Sequence, residues 1–146
     1  MNIVSEIKKR DHGKRIAIIE GDLKISFDDL FSAVTEIADQ LSTHPAFAKD
    51  QPRIGVQFPN GLGYIITALA VLQTGACFVP IPDELTPAEQ KQLIATTSLH
   101  AIITPSQTPE TPLPHNLGNA QITTPEFTPP TFPETKFNAL HPAFIR

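Results

Sequence analysis

Apolar residues recur along this chain with two different periods, and the points where the period changes outline its elements. In residues 27–41, Phe27, Leu30, Phe31, Val34, Ile37, Ala38 and Leu41 follow helical spacing, while Asp28, Glu36, Asp39 and Gln40 take the other side. One face of that helix is expected to be buried. Ser26 precedes it with Asp29 three residues on, which resembles a capping box with Asp in place of Glu; acids suit the positive end of a helix. Upstream, two apolar runs, residues 15–20 and 23–25, flank Gly21-Asp22, the pattern of a short hairpin around a Gly-Asp turn.

Further along, Arg53-Ile54-Gly55-Val56-Gln57-Phe58 reads as a strand and Pro59-Asn60-Gly61 as a turn. A helix is then expected over residues 62–74, ended by Gly75, with a second strand over 76–81. Thr86-Pro87-Ala88-Glu89 supplies a cap, a proline in the first helical position and an acid at the third, so another helix should run to Thr97. Ala101-Ile102-Ile103-Thr104 is the third strand. Strand, helix, strand, helix, strand implies right-handed crossovers and a parallel sheet, an α/β fold of βαβ units behind an N-terminal hairpin. In the helix over 62–74 the large apolar residues Leu62, Tyr64, Ile65, Ile66, Leu69, Val71 and Leu72 cover more than half the circumference. Only a narrow strip around Thr67, Ala70 and Thr74 is left, so burial on more than one side is expected.

Beyond Thr104 the composition changes: nine of the 15 prolines lie in the last 42 residues. Proline removes a backbone donor and pushes its predecessor out of the helical region, so this stretch is not expected to hold a long helix or a central strand. The chain thus divides into an α/β subdomain (1–104), a Pro-rich connection (105–140) and the start of a further strand (141–146). Two segments, 109–112 and 130–133, have the spacing of proline-rich ligands for aromatic grooves, yet Lys136 is the only positive charge between Pro105 and Ile145, and a linker is the better reading.

Composition narrows the chemistry. With 146 residues at 40% hydrophobic, one domain with a real core is expected. The net charge of −4, from 11 basic and 15 acidic residues, offers no basic stripe for nucleic acid. Cys77 has no second cysteine and lies in the apolar run 76–79, so it is expected in the core rather than in a disulfide. Charges stand where a signal peptide needs its apolar stretch, and no segment approaches the roughly 20 apolar residues of a membrane span. A soluble, cytoplasmic protein is the expectation.

Candidate sites fall away one by one. His12, His44, His100, His115 and His141 are scattered, with no helical i, i+4 pair. Asp28 and Asp29 are helical neighbours pointing about 100° apart, which suits a helix start better than acid-base work. The only Gly-Lys pair, Gly13-Lys14, has Lys8 where a Walker loop needs glycine. Gly61-Leu62-Gly63, with Asp83 about 20 residues on, resembles the opening of a dinucleotide motif, but Ile66 stands where the third glycine belongs. No catalytic, cofactor-binding or metal residue is assigned.

Four stretches together resemble the acyl-adenylate-forming, AMP-binding superfamily of acyl-CoA synthetases, peptide-synthetase adenylation domains and luciferases. Ile25-Ser26-Phe27-Asp28-Asp29-Leu30 is similar to its early Leu-Ser/Thr-Tyr-x-Glu-Leu segment, and Phe58-Pro59-Asn60-Gly61 to its second. The run from Ala70 through Gly75-Ala76 to Phe78-Val79-Pro80-Ile81 is similar to Ala-Gly-Ala, an aromatic and Val-Pro-Leu, with Pro82 inserted before Asp83. Here Gly75 is expected to turn with a positive backbone angle and Pro80 to stop the ladder. Finally His141-Pro142-Ala143-Phe144-Ile145-Arg146 is similar to the Asp-Pro-Ala-x-Ile-x strand leading into the family's phosphate loop.

The resemblance implies an ATP-dependent ligase in which a carboxylate attacks the α-phosphate, giving acyl-adenylate and pyrophosphate before acyl transfer. ATP and Mg²⁺ are then cofactors of the full-length parent. The loop and the lysines that would hold phosphates are not in this sequence, so it is expected to be an inactive N-terminal fragment of the synthetase. The alternative is a non-catalytic assembly module or one half of a split enzyme. Its expected partners are the remainder of the synthetase and, through the apolar helix and an open sheet edge, further copies of itself.

Overall fold

The computed structural model describes residues 2–10, 13–106 and 119–123. After a short helix α1 (Ile3–Lys8) comes the hairpin of β1 (Ile16–Glu20) and β2 (Leu23–Ser26), antiparallel and separate from the main sheet. Helix α2 (Phe27–Ser42) follows at once. Ser26 Oγ accepts the Asp29 amide at 3.1 Å and donates to the Asp29 carboxylate at 2.6 Å, so the acid returns to the cap's hydroxyl instead of its amide. The βαβ region is β3 (Arg53–Val56), α3 (Leu62–Gln73), β4 (Cys77–Pro80), α4 (Pro87–Thr97) and β5 (Ala101–Ser106), closed by β6 (Asn119–Thr123).

The main sheet has the order β4-β3-β5-β6; β3 runs parallel to β4 and β5, and β6 is antiparallel to β5. From β3 the chain steps to β4, then back across β3 to β5. Right-handed connections in opposite directions must lie on opposite faces, and the side chains agree. Ile54, Val56, Phe78, Ala101 and Ile103 join one core with α2 and α3, whereas Cys77, Val79 and Ile102 join Leu93 and Ile94 of α4 in a second. The alternation along each strand is the period of a pleated sheet.

Gly55 belongs to the α4 face. A Cβ there would lie 2.7 Å from Ile81 Cδ1 and 2.8 Å from Leu99 Cδ1, so its bareness lets both side chains close over the sheet. Gly75 turns the chain from α3 into β4 at φ 85°, as expected from the sequence, and Pro80 ends β4 at the sheet's edge. At α4 the capping box is complete, with Thr86 and Glu89 each bonding the other's amide.

One expectation is reversed. The pattern along α3 leaves Thr67, Ala70 and Thr74 as its open strip, but Thr67 and Ala70 are among the most buried residues, and the exposed large apolar residue of α3 is Ile65. Small side chains sit where α3 is enclosed by α2 and the sheet, because close approach of backbones requires them.

Two further differences concern the ends. Helix α1 carries no extended apolar pattern; Asn2 makes it, capping α1 through Oδ1 to the Val4 amide while its Nδ2 donates to the Leu72 and Gln73 carbonyls closing α3. Lys8 Nζ then reaches Thr35 Oγ1 and Gln73 Oε1, above the Phe31 ring. At the other end, β5 continues to Ser106, and the proline-rich segment contributes β6 as an edge strand. Segments 109–112 and 130–133, the strand expected at 141–146, and His12, His115 and His141 lie outside the described residues.

Candidate functional site at the carboxyl edge of the sheet

In an open parallel sheet, ligands gather beyond the carboxyl ends of strands whose connections leave on opposite faces. Here that place lies between the loop after β3, residues 57–61, and the loop after β4, residues 81–86. The two loops enclose a cleft of about 160 Å³, with Phe58, Asn60 and Tyr64 on one wall and Pro82, Asp83 and Glu84 on the other. Pro80 and Pro82 also border a larger apolar cavity of about 490 Å³ beside α4, lined further by Val79, Leu85 and Leu93. Tyr64 stands edge-on to Phe78 with ring centres 6.0 Å apart, and burial raises its phenol above the ordinary 10.0, so it remains a hydrogen-bond donor at neutral pH.

The start of α3 is the most instructive part. Gly61 is its cap residue and has no side chain to satisfy the first amides, yet the Leu62 amide donates to Glu20 Oε1, 3.0 Å away, from the end of β1. Gly61 holds φ 153° and ψ −171°, a region open only to glycine, and a Cβ on it would approach Glu20 Oε1 to 2.5 Å. The negative carboxylate suits the positive helix end. Nothing in the local pattern around Glu20 marks it; the signal that points to it is a helix opening Gly-Leu-Gly, with no Ser, Thr, Asp or Asn at its cap.

This contact also answers the dinucleotide resemblance of Gly61-Leu62-Gly63. Such a motif needs the helix start free for a pyrophosphate, and here an internal carboxylate holds it. Ile66, in the place of the third glycine, is fully buried. Asp83, three residues beyond the end of β4, lines the cleft.

The other polar candidates have structural work. His44 accepts the Ala46 amide at the start of the 3₁₀ turn Pro45–Ala48. His100 Nδ1 accepts the Arg53 amide at 3.0 Å, and Asp29 serves the cap of α2. Cys77 is fully buried, and burial pushes its thiol up from 9.0, opposed in part by Arg53. Among the described residues no group of three His, Cys, Asp or Glu could hold a metal ion, and no helix is long and apolar enough to cross a membrane.

Comparison with known proteins gives these features a family. The family model for AMP-binding enzymes matches residues 6–137. A dioxo-octahydro-indenyl propanoyl:CoA ligase from Rhodococcus jostii (strain RHA1) is 28% identical over 94 residues, 64% of this chain and 18% of that protein. The 4-coumarate-CoA ligase-like protein 4 of Oryza sativa subsp. japonica is 28% identical over 120 residues, 80% of this chain and 22% of that protein. Among solved structures, coronafacic acid ligase from Pectobacterium brasiliense is 34% identical with a TM-score of 0.63, covering 71% of this chain and 21% of that one. The chain therefore spans about a fifth of the length of these relatives, within the N-terminal domain architecture of adenylate-forming enzymes. The chain belongs to the family of AMP-binding enzymes.

Proposed function

We propose that this chain is the N-terminal portion of an ATP-dependent, acyl-adenylate-forming ligase of the acyl-CoA synthetase kind, and that alone it does not catalyse the reaction. The observation that carries this reading is the AMP-binding match across residues 6–137, together with CoA ligases among the relatives. The chemistry is the activation of a carboxylate, which has no leaving group until ATP provides adenylate. A cytoplasmic location, where ATP is supplied, goes with this reading.

The described residues do not fit ATP or Mg²⁺. The start of α3, the helix end nearest the cleft, is held by Glu20, and no set of acidic residues converges on an ion. Residues 119–146 contain no glycine, so they hold no Gly-rich phosphate loop. In this proposal both groups are bound by the remainder of the ligase, and this chain supplies the sheet edge against which that remainder folds.

The test is carboxylate-dependent ATP-pyrophosphate exchange. The chain alone should show none and should not bind ATP tightly. Joined to the remainder of its ligase it should exchange with at least one member of a broad carboxylate panel. Exchange by the chain alone, or an inert complete protein, would overturn the reading.

A further inference from the structure

The joint between the N-terminal hairpin and the main sheet has an unusual construction. A helix is most simply started by an oxygen on its own cap residue. Here position 61 is glycine, and the acceptor comes from Glu20, 42 residues earlier, at the last position of β1. A Cβ at 61 would come within 2.5 Å of Glu20 Oε1, so a side chain there would push the carboxylate off the Leu62 amide. The start of α3 is thus fixed by the hairpin rather than by its own loop.

What depends on that start is one wall of the cleft. Asn60 precedes the joint by one residue and Tyr64 follows by three, and both face the Pro82–Glu84 side of the cleft. We propose that Glu20 is a positioning residue: its carboxylate sets residues 59–61 and the first turn of α3, and so couples the placement of the hairpin to the shape of the cleft. The joint does not rest on the ligase reading; only its use in an adenylating enzyme does.

Glu20 is exposed, so the chain should tolerate its replacement. Amide exchange and chemical shifts in the isotope-labelled full chain read the proposal directly. Glu20→Ala should speed exchange at the Leu62 amide by about five- to tenfold, the scale of a lost helix cap. It should also shift Asn60 and Tyr64, and Asp83 across the cleft, while leaving residues 87–97 of α4 unmoved. Glu20→Gln, which keeps an acceptor but no charge, should restore part of the protection. Gly61→Ala should reproduce the Glu20→Ala pattern from the other side of the joint. Unchanged Leu62 exchange in Glu20→Ala, or shifts confined to the hairpin, would overturn the proposal. So would changes spread evenly over the chain, which mark general destabilisation instead of positioning. Pyrophosphate exchange plays no part in this test, so its failure and that of the ligase reading are told apart.

Discussion

Gly55→Ala is the sharpest perturbation of the α4 face. The strand is extended at this position, so the backbone accepts alanine, and lowering the freedom of the unfolded chain contributes about 0.5–1 kcal/mol of stability. Against that, the new methyl would sit 2.7 Å from Ile81 Cδ1, 2.8 Å from Leu99 Cδ1 and 3.4 Å from Ile102 Cγ1. The first two distances are well inside contact between carbons, and both side chains are buried, so their ends have little room to withdraw. Overpacking of a filled core costs about 1–3 kcal/mol. The clash outweighs the entropic gain, leaving a net loss of about 1–2 kcal/mol, which lowers Tm by about 3–7 °C in a domain of this size.

Urea and thermal unfolding give the number, and a double-mutant cycle gives its cause. Ile81→Val removes the Cδ1 methyl that the alanine would meet and by itself costs about 0.5–1.5 kcal/mol. In the Gly55→Ala background that cost should vanish, so the double variant is no less stable than Gly55→Ala alone. A Gly55→Ala protein more stable than the parent, or strictly additive losses in the double variant, would refute the packing argument.

Two further outcomes are expected. Burial, with smaller contributions from the Arg53 guanidinium and the Lys49 ammonium, lowers the His100 pKa from its ordinary 6.5, and its Nδ1 must stay unprotonated to accept the Arg53 amide. The unfolded chain therefore takes up this proton first: the stabilisation is complete above about pH 6.5 and is lost as pH falls through the folded pKa. His100→Asn, which keeps an acceptor but does not titrate, should flatten the decline in Tm on acidification; an unchanged decline would assign it to other groups. Sedimentation at rising concentration should show a dimer or larger assembly of the chain, with Ile65→Asp or Leu69→Asp shifting it towards monomer. Ile65 is the more informative, being exposed while Leu69 is half-covered. A parent chain that stays monomeric would end that expectation.

The strands and helices were legible because each carries its own local physics. Thr86, Pro87 and Glu89 mark the start of α4 in three adjacent choices, and the structure holds the complete box. The spacing from Leu30 to Leu41 marks one face of α2, and that face is buried. What was not legible depends on partners far off in sequence. Asn2 serves carbonyls about 70 residues away, and no run of apolar residues announces that helix α1 will form there. Thr67 and Ala70 look like an open strip until α2 is placed against them. Strand β6 hides among prolines because an edge position asks for only one row of hydrogen bonds, to β5.

The same distinction separates the two readings of the Gly61 loop. Taken locally, Gly61-Leu62-Gly63 before a helix and after a strand is an opening for an anion, since helix starts present unpaired amides and positive charge. The motif cannot say whether the anion comes from a ligand or from the chain. In this fold β1 of the hairpin ends at Glu20 beside that helix start, and the glycine that would let a phosphate approach instead makes room for a carboxylate. A phosphate competing for the Leu62 amide would have to displace an anion already tethered to the same molecule, and would bring a second negative charge beside it. The glycine is required in either case, for the same steric reason, so only the position of the hairpin decides what it is for.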